Sequence, residues 1–133
     1  MSRVVDTSVA IKWLVAESGS DEATRLIGSD MIAPDLLLAE VGSTAWKKWR
    51  RNEIGAEHAA SMPANVALFV RLVESRPLAD TALAIALELA HPVYDRYFLA
   101  VAELSGRRLV TADRRLAEAC RGTRFEPPVE PLE

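Results

Sequence analysis

Arg3-Val4-Val5-Asp6-Thr7-Ser8 is the stretch of sequence that decides the fold. Its apolar residues predict a short buried strand over 3–6, and Thr7 or Ser8 is a suitable cap for a helix over 8–17. The run Leu109-Val110-Thr111-Ala112-Asp113 repeats the pattern, because it too is an apolar stretch that ends at an acid before a helix. Short apolar strands that alternate with helices indicate an α/β sandwich with a parallel sheet.

Apolar spacing and the positions of Gly and Pro predict the remaining elements. Strands are expected over 31–33 and 107–111. Helices are expected over 21–27, 34–51, 56–73 (kinked or split at Pro63), 77–90, 94–104 and 114–120. His91-Pro92 is expected to interrupt the chain between the helices over 77–90 and 94–104. The acidic tail, 125–133, is expected to be irregular, with one edge strand near Phe125 at most. The predicted fold is a single domain over 1–133, a three-layer sandwich in which helices flank a central parallel sheet of four to five short strands.

Composition narrows the class of protein. A length of 133 residues suggests one domain, and the formal net charge of −3 does not by itself indicate nucleic-acid binding. The single Cys120 excludes an intrachain disulfide framework and a Cys-based zinc site. No apolar stretch approaches the length of a membrane span, and the first residues reach a charge too early for a signal peptide. We therefore expect a soluble cytoplasmic protein that does not contact a membrane.

Four acids stand where separate chain segments are expected to converge: Asp6, Glu40, Asp95 and Asp113. Asp6 and Asp113 end two strands, and ligands of parallel sheets collect at the carboxyl ends of the strands. Glu40 and Asp95 lie within apolar helical stretches. Four carboxylates in one place would repel one another, and a hard cation such as Mg²⁺ or Mn²⁺ relieves that repulsion. The pattern predicts a metal-dependent enzyme that acts on phosphates.

Each acid also has a simpler structural explanation. Asp6 and Asp113 are good helix caps, and Asp95 is favoured near a helix N-terminus by the helix dipole. Glu40 lies too deep in its helix for a cap, but it could be a partly exposed Glu at the edge of an apolar face. Residues at 95, 98, 99 and 102 share one helix face, which is apolar except for the acid. These alternatives stay open for each residue alone.

Four motifs in order resemble those of the PIN-domain nucleases: Val4-Val5-Asp6-Thr7-Ser8, 33–41, 91–102 and 109–113. The resemblance extends from Val4 to about Ala119. The short format is similar to the VapC-type toxins of bacterial and archaeal toxin–antitoxin pairs. The resemblance implies a PIN-like sandwich and an endoribonuclease that cleaves RNA phosphodiester bonds with a metal-activated water, using Mg²⁺ or Mn²⁺ as the cofactor.

The resemblance also implies the roles of individual residues. The catalytic acids would be Asp6, Glu40, Asp95 and Asp113. The metal ligands would be Asp6 and Asp113, with Asp95 as a third. The supporting hydroxyls would be Thr7, Ser8 and Thr111. Some relatives carry a further acid where Leu99 stands in this chain, so binding of one or of two metal ions stays open.

Cations near these motifs could hold RNA phosphates: Lys12, Arg96, Arg114 and Arg115. Solvated surface positions are the alternative explanation for each of them. The toxin resemblance implies a VapB-like antitoxin as a partner and makes a homodimer plausible, with the apolar helix from Leu78 to Ala90 as one candidate interface. Trp13, Trp46 and Trp49 could stack on bases, although helical spacing favours packing or a partner-binding groove.

Three other functions are alternatives to this one. Aspartate-nucleophile phosphatases also place an Asp at the end of the first strand, but they need a second acid two residues later, where this chain has Ser8. A PIN-like module could bind RNA or protein without cleaving it, although uncompensated acids would then reduce stability. A PIN-domain nuclease could also serve RNA maturation instead of toxicity, and the sequence does not separate these two roles.

Overall fold

The computed structural model describes residues 2–90 and 95–132, and within them a five-stranded sheet forms the centre. The strands are β1 Arg3–Val5, β2 Met31–Pro34, β3 Arg71–Val73, β4 Arg108–Thr111 and β5 Val129–Pro131. They lie in the order β3-β2-β1-β4-β5, and every neighbouring pair is parallel. This arrangement confirms the predicted α/β fold with a central parallel sheet flanked by helices.

Seven α-helices surround the sheet in the described part of the chain. They are α1 Thr7–Leu14, α2 Ser20–Thr24, α3 Leu36–Arg50, α4 Ala56–Val66, α5 Ala79–Leu89, α6 Arg96–Ser105 and α7 Arg114–Cys120, with a short 3-10 turn at Arg76–Leu78. Helix α1 contacts α2, α3 and α4, whereas α5 packs on α6 and α6 contacts β1, β2 and β4. None of the helices described for residues 2–90 and 95–132 has the length and apolar character needed to cross a membrane.

The core is continuous with the central strands. Val4 and Val5 in β1 have no exposed surface, and β2 is buried along its whole length. Phe98 and Leu99 of α6 and Leu37 of α3 pack into the same core. Strands covered on both faces read as continuous apolar runs, which explains why β1, β2 and β4 were recognisable in the sequence.

The structure differs most from the sequence-based expectation at two places. The helix predicted over 56–73 ends at Val66, and Arg71–Val73 forms β3, which pairs with β2 at the edge of the sheet. The sequence predicts at most one strand in the tail, near Phe125. The tail does contain one strand, but it lies at Val129–Pro131. Pro131 is tolerated there because β5 is an edge strand and loses no inner hydrogen-bond partner. The interruption predicted at His91-Pro92 lies outside the described residues.

Candidate active site

The carboxyl ends of β1 and β4 place two acids at one edge of the sheet. Val5 pairs with Val110, so Asp6 directly after β1 and Asp113 two residues after β4 follow neighbouring strands. Asp6 caps α1 by accepting a hydrogen bond from the Val9 N–H at 3.2 Å. Asp113 caps α7 in the same manner through the Arg115 N–H at 2.9 Å.

One small cleft, about 100 Å³ in volume, brings the four predicted acids together. Its lining consists of Asp6, Thr7, Ser8, Glu40, Asp95, Phe98, Asp113 and Leu116. Sequence reasoning did not assign Phe98 and Leu116 to the site. Both stand three residues after a site acid, Phe98 after Asp95 and Leu116 after Asp113, so the helical i, i+3 spacing was the signal that could have found them.

Asp6 is the most buried of the acids, with 6% of its surface exposed. Ser8 Oγ donates a hydrogen bond to Asp6 Oδ1 at 2.5 Å, and Thr111 Oγ1 donates one to Asp6 Oδ2. Burial raises the pKa of Asp6 from 3.8 to about 6, repulsion from Asp113 adds to this, and the hydrogen bonds from Ser8, Thr111 and Val9 oppose it. Asp6 therefore stays protonated to a higher pH than an exposed aspartate does, unless a cation lies beside it.

The supporting hydroxyls tie the two strand ends together. Besides donating to Asp6, Ser8 Oγ accepts a hydrogen bond from the Ala112 N–H at 2.9 Å. Thr111 Oγ1 accepts one from the Asp113 N–H at 3.0 Å. Each hydroxyl thus connects the Asp6 carboxylate to the loop that carries Asp113. This contact set is consistent with the supporting role predicted for Ser8 and Thr111.

Glu40 and Asp95 line the same cleft and interact through their charges. Thr7 Oγ1 donates a hydrogen bond to Glu40 Oε1, which fixes that carboxylate at the fifth position of α3. Burial raises the pKa of Glu40 above 4.5, the Thr7 hydrogen bond lowers it, and the charge of Asp95 raises it. Asp95 is exposed and immediately precedes α6. The acids therefore interact as two pairs, Asp6 with Asp113 and Glu40 with Asp95.

The carboxylate oxygens of the cleft are suitable ligands for a hard divalent cation, but those that the structure describes do not form a complete three-ligand site. Within residues 2–90 and 95–132, no three acidic, His or Cys side chains are grouped closely enough to hold a metal ion as they stand. The predicted triad of Asp6, Asp113 and Asp95 is therefore not assembled in advance. Mg²⁺ is commonly held by one or two carboxylates, with waters and substrate phosphates completing its shell. The pair of Asp6 and Asp113 offers that type of site.

The predicted RNA-binding cations occupy different environments. Arg114 and Arg115 are exposed at the start of α7. Lys12 Nζ donates to the Ser18 carbonyl oxygen at 2.6 Å and forms an ion pair with Glu17 at 3.2 Å. Lys12 also lines a larger pocket that adjoins Asp113.

Arg96 departs from the predicted phosphate contact, because only 1% of its surface is exposed. Its Nε and Nη1 atoms have no hydrogen-bond partner among the described residues. Burial lowers the pKa of Arg96, while the charges of Asp95 and Asp113 act in the opposite direction. Helix α6 turns this side chain into the protein, so Arg96 acts on the acids through its charge and does not face solvent.

The aromatic residues also separate into two groups. Trp13 packs edge-to-face on Phe69 at 5.8 Å and donates its ring N–H to the Ala23 carbonyl oxygen, so it is a packing residue. Trp46 and Trp49 are exposed and line an apolar groove between α3 and α4.

Residues 3–122 match the PIN domain family. The chain belongs to the PIN domain family. It is 32% identical over 123 residues to Ribonuclease VapC3 of Pyrobaculum aerophilum, covering 89% of this chain and 94% of that protein. It is 33% identical over 87 residues to Exonuclease VapC9 of the same organism, 65% of each chain. These matches confirm the family expected from the four motifs.

Solved structures agree on the fold of this PIN domain. The crystal structure of PAE2754 from Pyrobaculum aerophilum superposes with a TM-score of 0.73 at 25% identity, covering 99% of this chain and 92% of that one. A chain of a toxin–antitoxin complex from Klebsiella pneumoniae gives a TM-score of 0.65 at 19% identity, covering 96% and 95%. The second similarity, at this low identity, supports the fold alone.

Proposed function

We propose that this PIN-domain protein is an endoribonuclease dependent on Mg²⁺ or Mn²⁺ and that it acts as the toxin of a type II toxin–antitoxin pair. The observation that carries the proposal is the cleft of four carboxylates at the carboxyl edge of the parallel sheet. Similarity to a protein named as a ribonuclease, over 89% of the chain, supports RNA as the substrate. Divalent metal ions are the general cofactors of PIN nucleases, and the choice of Mg²⁺ or Mn²⁺ rests on the oxygen donors of this cleft.

In this mechanism Asp6 and Asp113 would hold the cation, with Asp95 as a third carboxylate beside it. When bound, the ion supplies the positive charge that makes the phosphate and the attacking water reactive. Ser8 and Thr111 keep both oxygens of Asp6 in fixed positions. Their hydrogen bonds leave further lone pairs of the carboxylate available, since an ionised carboxylate accepts at about four sites.

Glu40 orients the attacking water. The hydroxyl of Thr7 fixes its carboxylate, and burial raises the pKa of Glu40, which makes it a better proton acceptor than an exposed glutamate. Phe98 and Leu116 form the apolar part of the lining and limit the number of waters that reach the phosphate. Each of these roles belongs to a side chain that the cleft contains.

The test compares cleavage of total RNA by wild type, Asp6→Asn and Asp113→Asn during a Mg²⁺ titration. Each substitution keeps the shape of the side chain and removes its charge, so activity should fall by at least about 100-fold, beyond the usual effect of a residue that only supports a ligand. Asp80→Asn is the matched control, because Asp80 is exposed in the first turn of α5, away from the cleft. Cleavage by Asp6→Asn at the wild-type rate would overturn the proposal.

Cleavage within the chain and cleavage from an end need a separate test, because one relative is named a ribonuclease and another an exonuclease. A circular RNA has no end, so an endoribonuclease opens it and an exonuclease leaves it intact. We expect opened circles in Mg²⁺, and none after chelation with EDTA. Shortening of linear RNA without opening of circles would contradict the internal mode of cleavage.

The proposed partners are a VapB-like antitoxin and a second copy of this chain. Similarity to VapC proteins supports the antitoxin, which should be encoded beside this gene and should suppress growth arrest caused by this protein. Leu83 and Leu87 are exposed one turn apart on α5 and support the homodimer. Light scattering of wild type and Leu87→Lys tests it, with a dimer expected only for wild type. Cleavage without growth arrest would favour a role in RNA maturation.

A further inference from the structure

A second pocket, about 420 Å³ in volume, adjoins the acidic cleft. The two share Asp113, which faces the cleft on one side and the pocket on the other. The pocket lies between the end of α1, the loop before α2, the start of α7 and the chain after β5. Three residues of its lining, Thr111, Ala112 and Asp113, belong to the fourth motif, but the motifs assign no function to the pocket itself.

The two volumes suit different parts of one substrate. A cleft of about 100 Å³ has room for a phosphate group and ions, but not for a base with its ribose. A volume of about 420 Å³ falls within the roughly 300–1,000 Å³ that is typical of pockets for small organic ligands. An RNA strand whose phosphate lies in the cleft must carry its next nucleotide out past the rim. The shared residue Asp113 marks the pocket as the space that this nucleotide enters.

The chemistry of the pocket matches a nucleotide. Lys12 and Arg114 place two cations on its wall, and Ala117 and Leu132 provide an apolar surface. The position of Lys12 is fixed by its contacts with the Ser18 carbonyl oxygen at 2.6 Å and with Glu17 at 3.2 Å.

Gly19 keeps this Lys12 contact possible. The residue has a φ of +89°, and a Cβ atom there would stand 3.1 Å from Lys12 Cε. A larger residue would therefore press on the lysine stem and move its charge. The loop before α2 thus fixes the position of one cation of the pocket, and α7 contributes the other.

Building on the proposed ribonuclease function, we propose that this pocket binds one nucleotide that flanks the scissile phosphate. Lys12 and Arg114 hold its phosphate oxygens, and the base lies against Ala117 and Leu132. The pocket is then a specificity-determining site, because the shape and polarity of its wall decide which base is accepted next to the cut.

Binding of nucleoside 5′-monophosphates in EDTA tests the pocket without any cleavage. We expect amide NMR signals of residues such as Ala112, Ala117 and Leu132 to shift on titration. Arg114→Ala should weaken binding about tenfold, the effect of one charge-assisted hydrogen bond. Arg121→Ala is the matched control, since Arg121 is exposed at the opposite end of α7 and pairs with Glu118. Equal losses in both variants, or no shifts at the pocket, would overturn the proposal.

A pocket-filling variant provides the second measurement. Ala117→Phe should abolish nucleotide binding, because its ring would occupy the space proposed for the base. Ala119→Phe is the control for a large ring elsewhere on α7, and it should retain binding. If Ala117→Phe does not fold, the comparison of Arg114→Ala with Arg121→Ala still decides the outcome. Undiminished binding by folded Ala117→Phe would contradict the proposal.

Cleavage of short RNAs that carry one abasic nucleotide connects the pocket to the reaction. Loss of the base at one position beside the cut should lower kcat/KM about tenfold in wild type, because the base no longer buries apolar surface against Ala117 and Leu132. The same loss should have no further effect in Ala117→Phe. Nucleotide binding without any RNA cleavage would contradict the ribonuclease function and would still support the pocket assignment. RNA cleavage that no abasic position affects, with no signal shifts at the pocket, would contradict the pocket assignment and would still support the ribonuclease function.

Discussion

Replacing Asp6 with Asn removes a buried charge and keeps the shape of the side chain, so it measures the free energy of that charge. Asp6 caps the start of α1 and has only 6% of its surface exposed. Its pKa is raised from 3.8 to about 6, chiefly by burial. One pKa unit corresponds to about 1.4 kcal/mol, so the ionised form of Asp6 lowers the free energy of unfolding by about 3 kcal/mol in metal-free protein. Asn carries no such penalty at any pH.

The direction of the pH dependence follows from the raised pKa. The folded protein binds the Asp6 proton more tightly than the unfolded chain does, so its stabilising effect is complete below about pH 3.8. That stabilisation is lost as the pH rises through about 6. The free energy of unfolding of wild type should therefore fall relative to that of Asp6→Asn, by about 2 kcal/mol between pH 4 and pH 7.

Urea unfolding in EDTA at pH 4, 5, 6 and 7 measures this difference for the two proteins. Glu40 titrates in both of them, so its contribution largely cancels in the comparison. Asp80→Asn is the control, because Asp80 is exposed in the first turn of α5 and lies away from the cleft. Loss of hydrogen-bond geometry in Asp6→Asn would also give a constant offset. The trend with pH therefore decides the matter.

Mg²⁺ should reduce the difference at pH 7, because a cation bound only to the folded wild type raises its free energy of unfolding. The Asn variant should respond much less. The reasoning would be refuted if, between pH 4 and pH 7 in EDTA, the free energy of unfolding of wild type did not fall relative to that of Asp6→Asn. That result would mean that the Asp6 carboxylate is solvated or ion-paired in solution, and that it is not a desolvated group that a bound cation would stabilise.

Three further substitutions test separate parts of the site. Thr7→Ala removes the hydroxyl donor to Glu40 and should raise the pKa of Glu40 further, so the acid limb of the kcat/KM profile moves to higher pH; an unmoved limb would contradict this. Arg96→Met should tighten Mg²⁺ binding in calorimetry, because it removes a positive charge that interacts with Asp95 and Asp113, whereas a raised KM for RNA alone would indicate a phosphate contact. Asp113→Ala should have a free energy of unfolding about 1 kcal/mol lower than that of Asp113→Asn, since it also removes the cap on α7, and both variants should fail to cleave. Equal stability of the two variants would argue against the cap.

The central part of the fold was predictable because its strands are covered on both faces. Val4 and Val5 are fully buried, so the apolar part of β1 is recognisable in the sequence and ends at the acid Asp6. Helix α7, predicted over 114–120, has those bounds in the structure, because an acid caps its start. In both cases the local sequence and the packing favour the same conformation.

The edges of the sheet were not predictable in the same way. β3 has only three residues, Arg71–Val73, and its side chains are exposed or half-buried. Its strand conformation depends on pairing with Ile32, Ala33 and Pro34, which lie far away in the sequence. Three residues are too few to show a period of two, and their apolar members continue the helical spacing of α4.

Arg96 shows why the environment of a site is harder to predict than its acids. Arginine is seldom fully buried, so a cation beside Asp95 was expected at the surface. Helix α6 instead turns Arg96 inward, in a helix whose residues Phe98 to Ala102 are all buried. The sequence identifies which residue types stand near the cleft, whereas the direction of each side chain depends on how α6 packs on the sheet.

Capping and ion binding are compatible roles for the same carboxylate, which removes the conflict between the two explanations of Asp6 and Asp113. Each accepts one backbone hydrogen bond as a cap, from Val9 N–H at 3.2 Å and from Arg115 N–H at 2.9 Å. An ionised carboxylate has about four acceptor sites, so sites remain for a cation. The cap fixes the carboxylate at the strand end before any ion arrives, and the ordinary chemistry of a strand-to-helix turn thereby positions the anionic groups of the cleft.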